Sequence, residues 1–250
     1  MILLLDIGNT HTHLGLAGRG RIARARDLLT KDWFSGDAAS EITDFVGKVR
    51  PDGAAMCSVV PDATPLAMLA VQQLYGIQAL ELTSETVRGI GIDYPKPKTI
   101  GPDRLANALA ARKLFGAPSV VVDFGTAVTF DVVNRAGNYA GGIIAPGLSA
   151  MTDYLHEKTA LLPKIQIRDT PAIIGKSTEQ AMLIGAVQGY RGLIRELLKG
   201  LRAELKARRL PVIATGGYAK LIAAKLEDLT AVRPHLTLEG LQIFYQNLRK

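Results

Sequence analysis

The sequence predicts an α/β protein built from two similar lobes, and three observations carry that expectation. Two short apolar runs, Ile2-Leu3-Leu4-Leu5 and Ser119-Val120-Val121-Val122, have the composition of buried strands, and each ends in an aspartate followed by a glycine-containing turn. After both turns the residues alternate in character, which reads as a returning strand and makes each unit a β-hairpin with Asp and Gly at its tip. The two aspartates, Asp6 and Asp123, stand 117 residues apart in a chain of 250, close to half its length, as an internal duplication requires.

The first hairpin reads Asp6-Ile7-Gly8-Asn9-Thr10 and continues His11-Thr12-His13-Leu14-Gly15-Leu16-Ala17. Helical periodicity follows over Ala38 to Val49 and Ala63 to Tyr75, with a strand-like run, Gly53 to Val60, between them and a further helix from about Arg104 to Phe115. A lobe boundary is expected near Leu114 to Pro118, giving an N-terminal lobe of residues 1–116 and a C-terminal lobe of residues 117–250. The second hairpin reads Asp123-Phe124-Gly125-Thr126-Ala127 and runs on to Val133. Helices are expected at about Ser177 to Lys206 and Lys220 to Leu226, and a strand at Pro211 to Ala214. No low-complexity linker interrupts the chain, so the lobes are expected to pack directly on one another.

Composition narrows the function classes. At 48% hydrophobic and 21% charged residues the chain can bury a sizeable core and lies far from the profile of disordered chains. The opening apolar run is only five residues long and is closed by Asp6, so neither a signal peptide nor a membrane span is expected there. One cysteine, Cys57, excludes an intramolecular disulfide; it lies in the apolar run Ala54-Ala55-Met56-Cys57, where a buried thiol is expected, and a reducing cytoplasm fits best. The net charge of +7 invites a nucleic-acid reading, but much of the excess falls in Arg19 to Arg26 and Lys199 to Arg209 without interleaved aromatics. In the second segment Leu193, Leu197, Leu201 and Leu205 recur every fourth residue, so its cations read as the solvated face of an amphipathic helix. A field favourable to anionic substrates is what this charge implies, with neither nucleic acid nor membrane as partner.

A strand ending in Asp-x-Gly-x-Thr gives a turn tight enough to approach a phosphate, with amide and hydroxyl donors beside it and an aspartate able to hold Mg²⁺ directly or through water. Once, such a turn is ordinary hairpin chemistry. Twice, at matching places in two halves, it points to a pair of loops holding the phosphates of a nucleotide. A third element, Val212-Ile213-Ala214-Thr215-Gly216-Gly217-Tyr218-Ala219, is a buried strand running into a glycine pair and a helix start, suited to close approach of a flat or charged ligand such as adenosine. The four histidines, His11, His13, His156 and His235, lack companions at metal-ligand spacing and read as non-ligands.

The hairpin pair with the Thr-Gly-Gly turn resembles the acetate and sugar kinase, Hsc70 and actin superfamily, whose duplicated ribonuclease H-like (actin-like ATPase) lobes carry mixed sheets flanked by helices and bind ATP in a cleft between them. Within it, Asp6 to Thr10, Ser58-Val59-Val60-Pro61, Gly101-Pro102-Asp103-Arg104, Asp123 to Thr126, Gly141-Gly142-Ile143-Ile144-Ala145-Pro146-Gly147, Leu162-Pro163 and Gly175-Lys176-Ser177-Thr178 are similar, in that order, to type III pantothenate kinases. These strings cover nearly the whole chain.

The resemblance implies phosphorylation of pantothenate by ATP to 4′-phosphopantothenate, the first step of coenzyme A biosynthesis, in a homodimer whose pantothenate pocket is completed near the subunit interface. It implies that Asp6, Ile7, Gly8, Asn9, Thr10, His11, Thr12 and His13 form an ATP phosphate loop with Asp6 near Mg²⁺, and that Thr126 contacts ATP. Asp103 would be the general base for the substrate hydroxyl, with Tyr94, Gly101, Pro102, Arg104 and Thr178 around the pantothenate. Asp123 would bind a monovalent cation, K⁺ or NH₄⁺. Read from the residues alone, Asp103 could also cap the helix that begins at Arg104, and Tyr94 could be a half-buried loop tyrosine. Histidine at positions 11 and 13 departs from the family's pattern, which often shows asparagine or smaller polar residues there. Three other readings stand beside the kinase: a kinase for another small hydroxyl substrate, a non-catalytic accessory or regulatory protein on the same scaffold, and a nucleic-acid binder.

Overall fold

The computed structural model describes residues 1–249. Its contacts divide the chain into a first unit, Met1–Leu114 with Gly137–Ala140 and the segment from His235 onward, and a second unit, Phe115–Ala136 with Gly141–Pro234. The first unit opens with the hairpin β1 (Ile2–Ile7) and β2 (His11–Gly18), followed by β3 (Arg21–Leu29), α1 (Asp32–Ser35), α2 (Ala38–Val46), β4 (Gly53–Ser58), α3 (Ala63–Tyr75) and the short β5 (Leu80–Glu81). These strands form one sheet in the order β3-β2-β1-β4-β5. Strand β1 is antiparallel to β2 and parallel to β4. Because it is paired on both edges and covered on both faces, Leu3, Leu4 and Leu5 are fully buried, which explains the continuous apolar run. Leu3, Leu5 and Ile7 share one face with Ile42, Phe45, Ala67 and Val71 of α2 and α3.

The unit continues through β6 (Gly91–Ile92) to α4 (Pro102–Phe115). In the second unit β7 (Ser119–Phe124) and β8 (Ala127–Val133) form the second hairpin. They are followed by β9 (Asn138–Pro146), α5 (Leu148–Lys158), α6 (Thr178–Ile184), α7 (Tyr190–Glu204), β10 (Val212–Thr215), α8 (Ala219–Ala223) and β11 (Ala231–Val232). The sheet order β9-β8-β7-β10-β11 repeats that of the first unit, and β7 is again antiparallel to the strand that follows it and parallel to the crossover strand. The first residues of β9, which group with the first unit, pair with β6. Val120, Val122 and Phe124 face a core completed by Val187, Tyr190, Ile194 and Leu198. No helix among the described residues is long and apolar enough to cross a membrane.

Two details differ from the expected elements. The long helix expected from Ser177 is broken into α6 and α7 by a π turn at Gly185–Gly189, where two glycines weaken the regular ladder. Its start is capped as sequence chemistry suggests, the Ser177 hydroxyl accepting from the Gln180 amide at 3.2 Å. Helix α4 begins at Pro102 rather than Arg104, so Asp103 lies within the first turn and is not the cap.

The last helix, α9 (Leu236–Leu248), returns to the first unit and packs on α4. Contact is close because Gly240 has no side chain: a Cβ there would fall 2.1 Å from the Ala106 carbonyl oxygen. Beside it the Thr237 hydroxyl donates to buried Asn107 Oδ1 at 3.0 Å. Gly240→Ala should therefore destabilise the fold by about 1–3 kcal/mol through overpacking. In α7, Gly200→Ala, whose Cβ would meet nothing within 4 Å, should be neutral or stabilising by up to about 1 kcal/mol through helix propensity. Urea titration of the two variants checks the contrast.

Candidate active site

The first hairpin tip is a braced loop. Gly8 closes the turn by donating its amide to the His11 carbonyl at 3.0 Å, and a Cβ at Gly8 would press on that same oxygen. Asp6 is the next-to-last residue of β1, with only 8% of its surface exposed. Its cross-strand partner in β4 is Cys57, whose thiol donates to Asp6 Oδ1 at 3.3 Å. Burial first, and the Asp6 charge second, push the Cys57 thiol well above the ordinary range, so it stays a proton donor. Beneath the loop, Thr12, Thr30 and Trp33 are buried and hydrogen-bonded to one another. His11 is exposed and stacks on His13, whose Nδ1 lies 2.6 Å from Asp27 Oδ1. That hydrogen bond holds the Asp27 carboxyl below its usual range.

A second cluster in the same unit gathers around the start of α4. Asp103 is partly buried in the first turn, and its Oδ1 accepts the Arg104 amide at 2.8 Å. Burial raises the Asp103 carboxyl above its usual value, opposed by that amide and by the Arg104 charge. The Arg104 guanidinium sits 5.8 Å from the ring centroid of Tyr139, and Tyr94 meets the same ring edge-on at 6.1 Å. The Asp93 amide donates to the Tyr139 carbonyl at 2.8 Å, fixing the loop that carries Tyr94. Gly101 also stands close, since a Cβ there would lie 2.5 Å from Asp103 Oδ1. Tyr94, Gly101, Pro102, Asp103 and Arg104 are thus brought together: a basic carboxylate beside a cation and aromatic walls, able to take a proton from a hydroxyl and hold an anionic or amide-bearing chain.

The second unit carries a related glycine turn at the same place. Gly125 donates to the Ala127 carbonyl at 3.1 Å, two residues on where Gly8 reaches three, so this loop is tighter by one residue. Asp123 is the next-to-last residue of β7, and Gly216, at φ +88°, comes so near that a Cβ would lie 2.5 Å from Asp123 Oδ1. The Tyr218 amide donates to the Phe124 carbonyl at 3.3 Å, so the Thr215-Gly216-Gly217 turn and the second hairpin form one feature. Gly147 packs on the same turn, where a Cβ would fall 2.1 Å from the Thr126 carbonyl oxygen. Thr178 opens α6 in this unit, beside the capping Ser177.

Sequence reasoning missed Tyr139, the contact of Cys57 with Asp6 and the Thr30–Trp33 pair, and it placed Thr12 among the ATP-binding residues, whereas the structure buries that side chain beneath the loop against Thr30 and Trp33. Tyr139 lies in a strand whose alternation looks like core, and the other contacts join strands or loops far apart in sequence. For Cys57 a usable signal existed: parallel pairing of β1 with Gly53–Ser58 places it beside Asp6.

Comparison with known proteins places the chain among kinases. A sequence profile described as type III pantothenate kinase matches residues 2–200. The type III pantothenate kinase of Akkermansia muciniphila is 46% identical over 242 residues, covering 96% of this chain and 96% of that protein. Among solved structures, a Baf family protein of Campylobacter jejuni covers 99% of this chain and 98% of that one at 16% identity and a TM-score of 0.64. MreB 5 of Spiroplasma citri covers 99% and 96% at 12% identity and a TM-score of 0.53. At such identities the two structures establish the fold alone: duplicated α/β lobes of the actin-like ATPase type.

The raised Asp103 carboxyl generates a stability prediction. The folded chain binds this proton more tightly than the unfolded chain, so ionising the group costs stability as pH rises through its folded value. Asp103→Asn keeps an oxygen for the Arg104 amide and cannot ionise. Its melting temperature at pH 7 should be at or above that of the unmodified protein, with the difference shrinking as pH falls and vanishing by about pH 3, where an ordinary aspartate is also protonated. Thermal melts at both pH values check this; a loss of several degrees at pH 7 would contradict it.

Proposed function

We infer that this chain, which belongs to the type III pantothenate kinase family, transfers the γ-phosphoryl group of ATP to the primary hydroxyl of pantothenate. The product is 4′-phosphopantothenate, and the reaction is the first step of coenzyme A biosynthesis. The structural observation that carries this reading is Asp103, a carboxylate made more basic by burial and set beside Arg104, Tyr94 and Tyr139.

In this reading Asp103 is the general base. It accepts the proton of the pantothenate hydroxyl as the hydroxyl oxygen bonds to the γ-phosphorus and the bond to the ADP oxygen breaks. Arg104 and Gly101 hold pantothenate, Tyr94 walls its pocket, and Thr178 hydrogen-bonds it. Catalysis rests mainly on positioning and charge neutralisation, because phosphoryl transfer leaves little covalent work to side chains. Residues Asp6 to His13 form the phosphate loop, and Thr126 contacts ATP.

The family uses ATP with a divalent metal. Asp6 suits Mg²⁺, a hard ion commonly held by one or two carboxylates together with substrate phosphates; bound there, Mg²⁺ neutralises phosphate charge. The monovalent-cation role falls to Asp123, whose carboxylate lies at a strand end against the Gly216 turn and the Phe124 backbone, an oxygen donor in a crowded polar setting. A homodimer is supported by the second unit's exposed apolar side chains: Ile144, Tyr154, Ile173 and Ile174 are each more than 60% exposed. Near them an apolar cavity of about 790 Å³ is lined by Pro146, Met151, Leu155 and Met182. A cytoplasmic location agrees with a single, fully buried cysteine.

A coupled ADP-release assay with Mg·ATP and pantothenate tests the reading. ADP release should require pantothenate and should be fast in potassium or ammonium buffer but slow in sodium. Equal rates in all buffers would remove the role given to Asp123, and absence of pantothenate-dependent release would overturn the substrate.

A further inference from the structure

The buried polar group beneath the first hairpin has only one consistent arrangement of its protons. The Trp33 indole nitrogen can only donate, so at 3.0 Å the Thr12 hydroxyl oxygen is its acceptor. The Gly8 carbonyl can only accept, so the single hydroxyl proton of Thr30 goes to it, at 2.6 Å. The remaining contact, 3.2 Å between the Thr12 and Thr30 hydroxyls, must then be donated by Thr12. Donation therefore runs in one direction: Trp33 to Thr12, Thr12 to Thr30, Thr30 to the Gly8 carbonyl. Trp33 is only 5% exposed and Thr30 only 2%, so water competes little for these bonds. The Thr30 amide also donates to the Thr10 carbonyl at 3.0 Å, so the same residue grips the loop at two points.

The peptide between Gly8 and Asn9 is trans, cis geometry being confined to Ala117-Pro118 among the described residues. In a planar trans peptide the C=O and N–H vectors point in opposite directions. Drawing the Gly8 oxygen toward Thr30 thus turns the Asn9 N–H away from the buried threonines, on a residue that is itself exposed. We propose that Trp33, Thr12 and Thr30 are positioning residues that lock the Gly8–Asn9 peptide so that the Asn9 amide is presented to a phosphate oxygen of ATP. Thr12 falls within the Asp6 to His13 stretch but is fully buried, and Thr30 and Trp33 lie outside it; all three act through the Gly8–Asn9 peptide, removing the alternative orientation in which the carbonyl oxygen would face the phosphate. The proposal rests on the reading of Asp6 to His13 as the phosphate loop.

Steady-state kinetics with ATP and pantothenate varied separately test it. Thr30→Val should raise the KM for ATP about tenfold, the scale of one lost hydrogen bond, while leaving the KM for pantothenate within about twofold. Thr30→Ser, which keeps the hydroxyl, should restore the ATP value. Trp33→Phe should shift the ATP value in the same direction by a smaller factor. Combined with Thr30→Val it should add nothing, because the chain is already cut. Thr10→Val, altering the exposed loop itself, separates the two ideas. If it raises the KM for ATP while Thr30→Val and Trp33→Phe do not, the positioning role is overturned and the phosphate loop stands. If it too leaves ATP unaffected, the loop reading fails and the proposal with it. Equal changes in both KM values, or a lower active fraction with both unchanged, would mark the threonines as merely structural and overturn the proposal. Should Thr30→Val not fold, Trp33→Phe decides alone, by an ATP KM that rises or stays unchanged.

Discussion

Each unit is organised by one central strand that is hydrogen-bonded antiparallel to its hairpin partner on one edge and parallel to a crossover strand on the other. Pairing on both edges removes the strand from water, so its side chains must be apolar on both faces, and Leu3 to Leu5 and Val120 to Val122 are fully buried. The acidic residue comes next to last in each of these strands, one position before pairing with the returning strand ends. In both units that residue is an aspartate, followed by a turn whose glycine amide is tied to a carbonyl on the returning strand. The chemistry at the hairpin tip is therefore a consequence of the burial behind it.

The same constraint explains the polar residues that remain inside. A carboxylate such as Asp6, nearly out of solvent, needs a donor, and the parallel neighbour supplies the Cys57 thiol, which burial keeps protonated. Thr12 and Thr30 need partners for the same reason, and their bonds end on the backbone of the loop. At α4 burial of the Asp103 carboxyl is opposed by its own and its neighbour's backbone amides and by the Arg104 charge, but burial is the largest effect, and the affinity for a proton rises. A group held in that condition stabilises the fold poorly and accepts protons well, which is the compromise a general base requires.

The duplication, both hairpins and the helix at residues 63–75 were legible because they depend on local pattern: a run of apolar residues, an Asp-x-Gly turn, a 3.6-residue period. The Gly101-Pro102-Asp103-Arg104 string was legible as a motif, though its helix starts at Pro102, two positions earlier than the cap reading of Asp103 allowed. What was not legible depends on residues distant in sequence. Tyr139 joins Tyr94 and Arg104 through a strand pairing of β6 with β9 that the two residues of β6 scarcely announce. The break at Gly185–Gly189 hides within an amphipathic pattern that continues across it. The return of α9 to the first unit, sealed by Gly240 against Ala106, has no signature before the fold is known.

The central claim is that Asp103 takes the proton from the substrate hydroxyl, and the pH dependence of kcat tests it most directly, because kcat reports groups in the bound complex rather than the ionisation of free pantothenate. The account predicts an acid limb whose midpoint lies above the ordinary aspartate value of about 3.9. It also predicts that Asp103→Asn lowers kcat by about 10²–10⁴ and removes the limb from the residual turnover. A limb that persists unchanged in the Asp103→Asn enzyme, or that variant retaining full turnover, would contradict it.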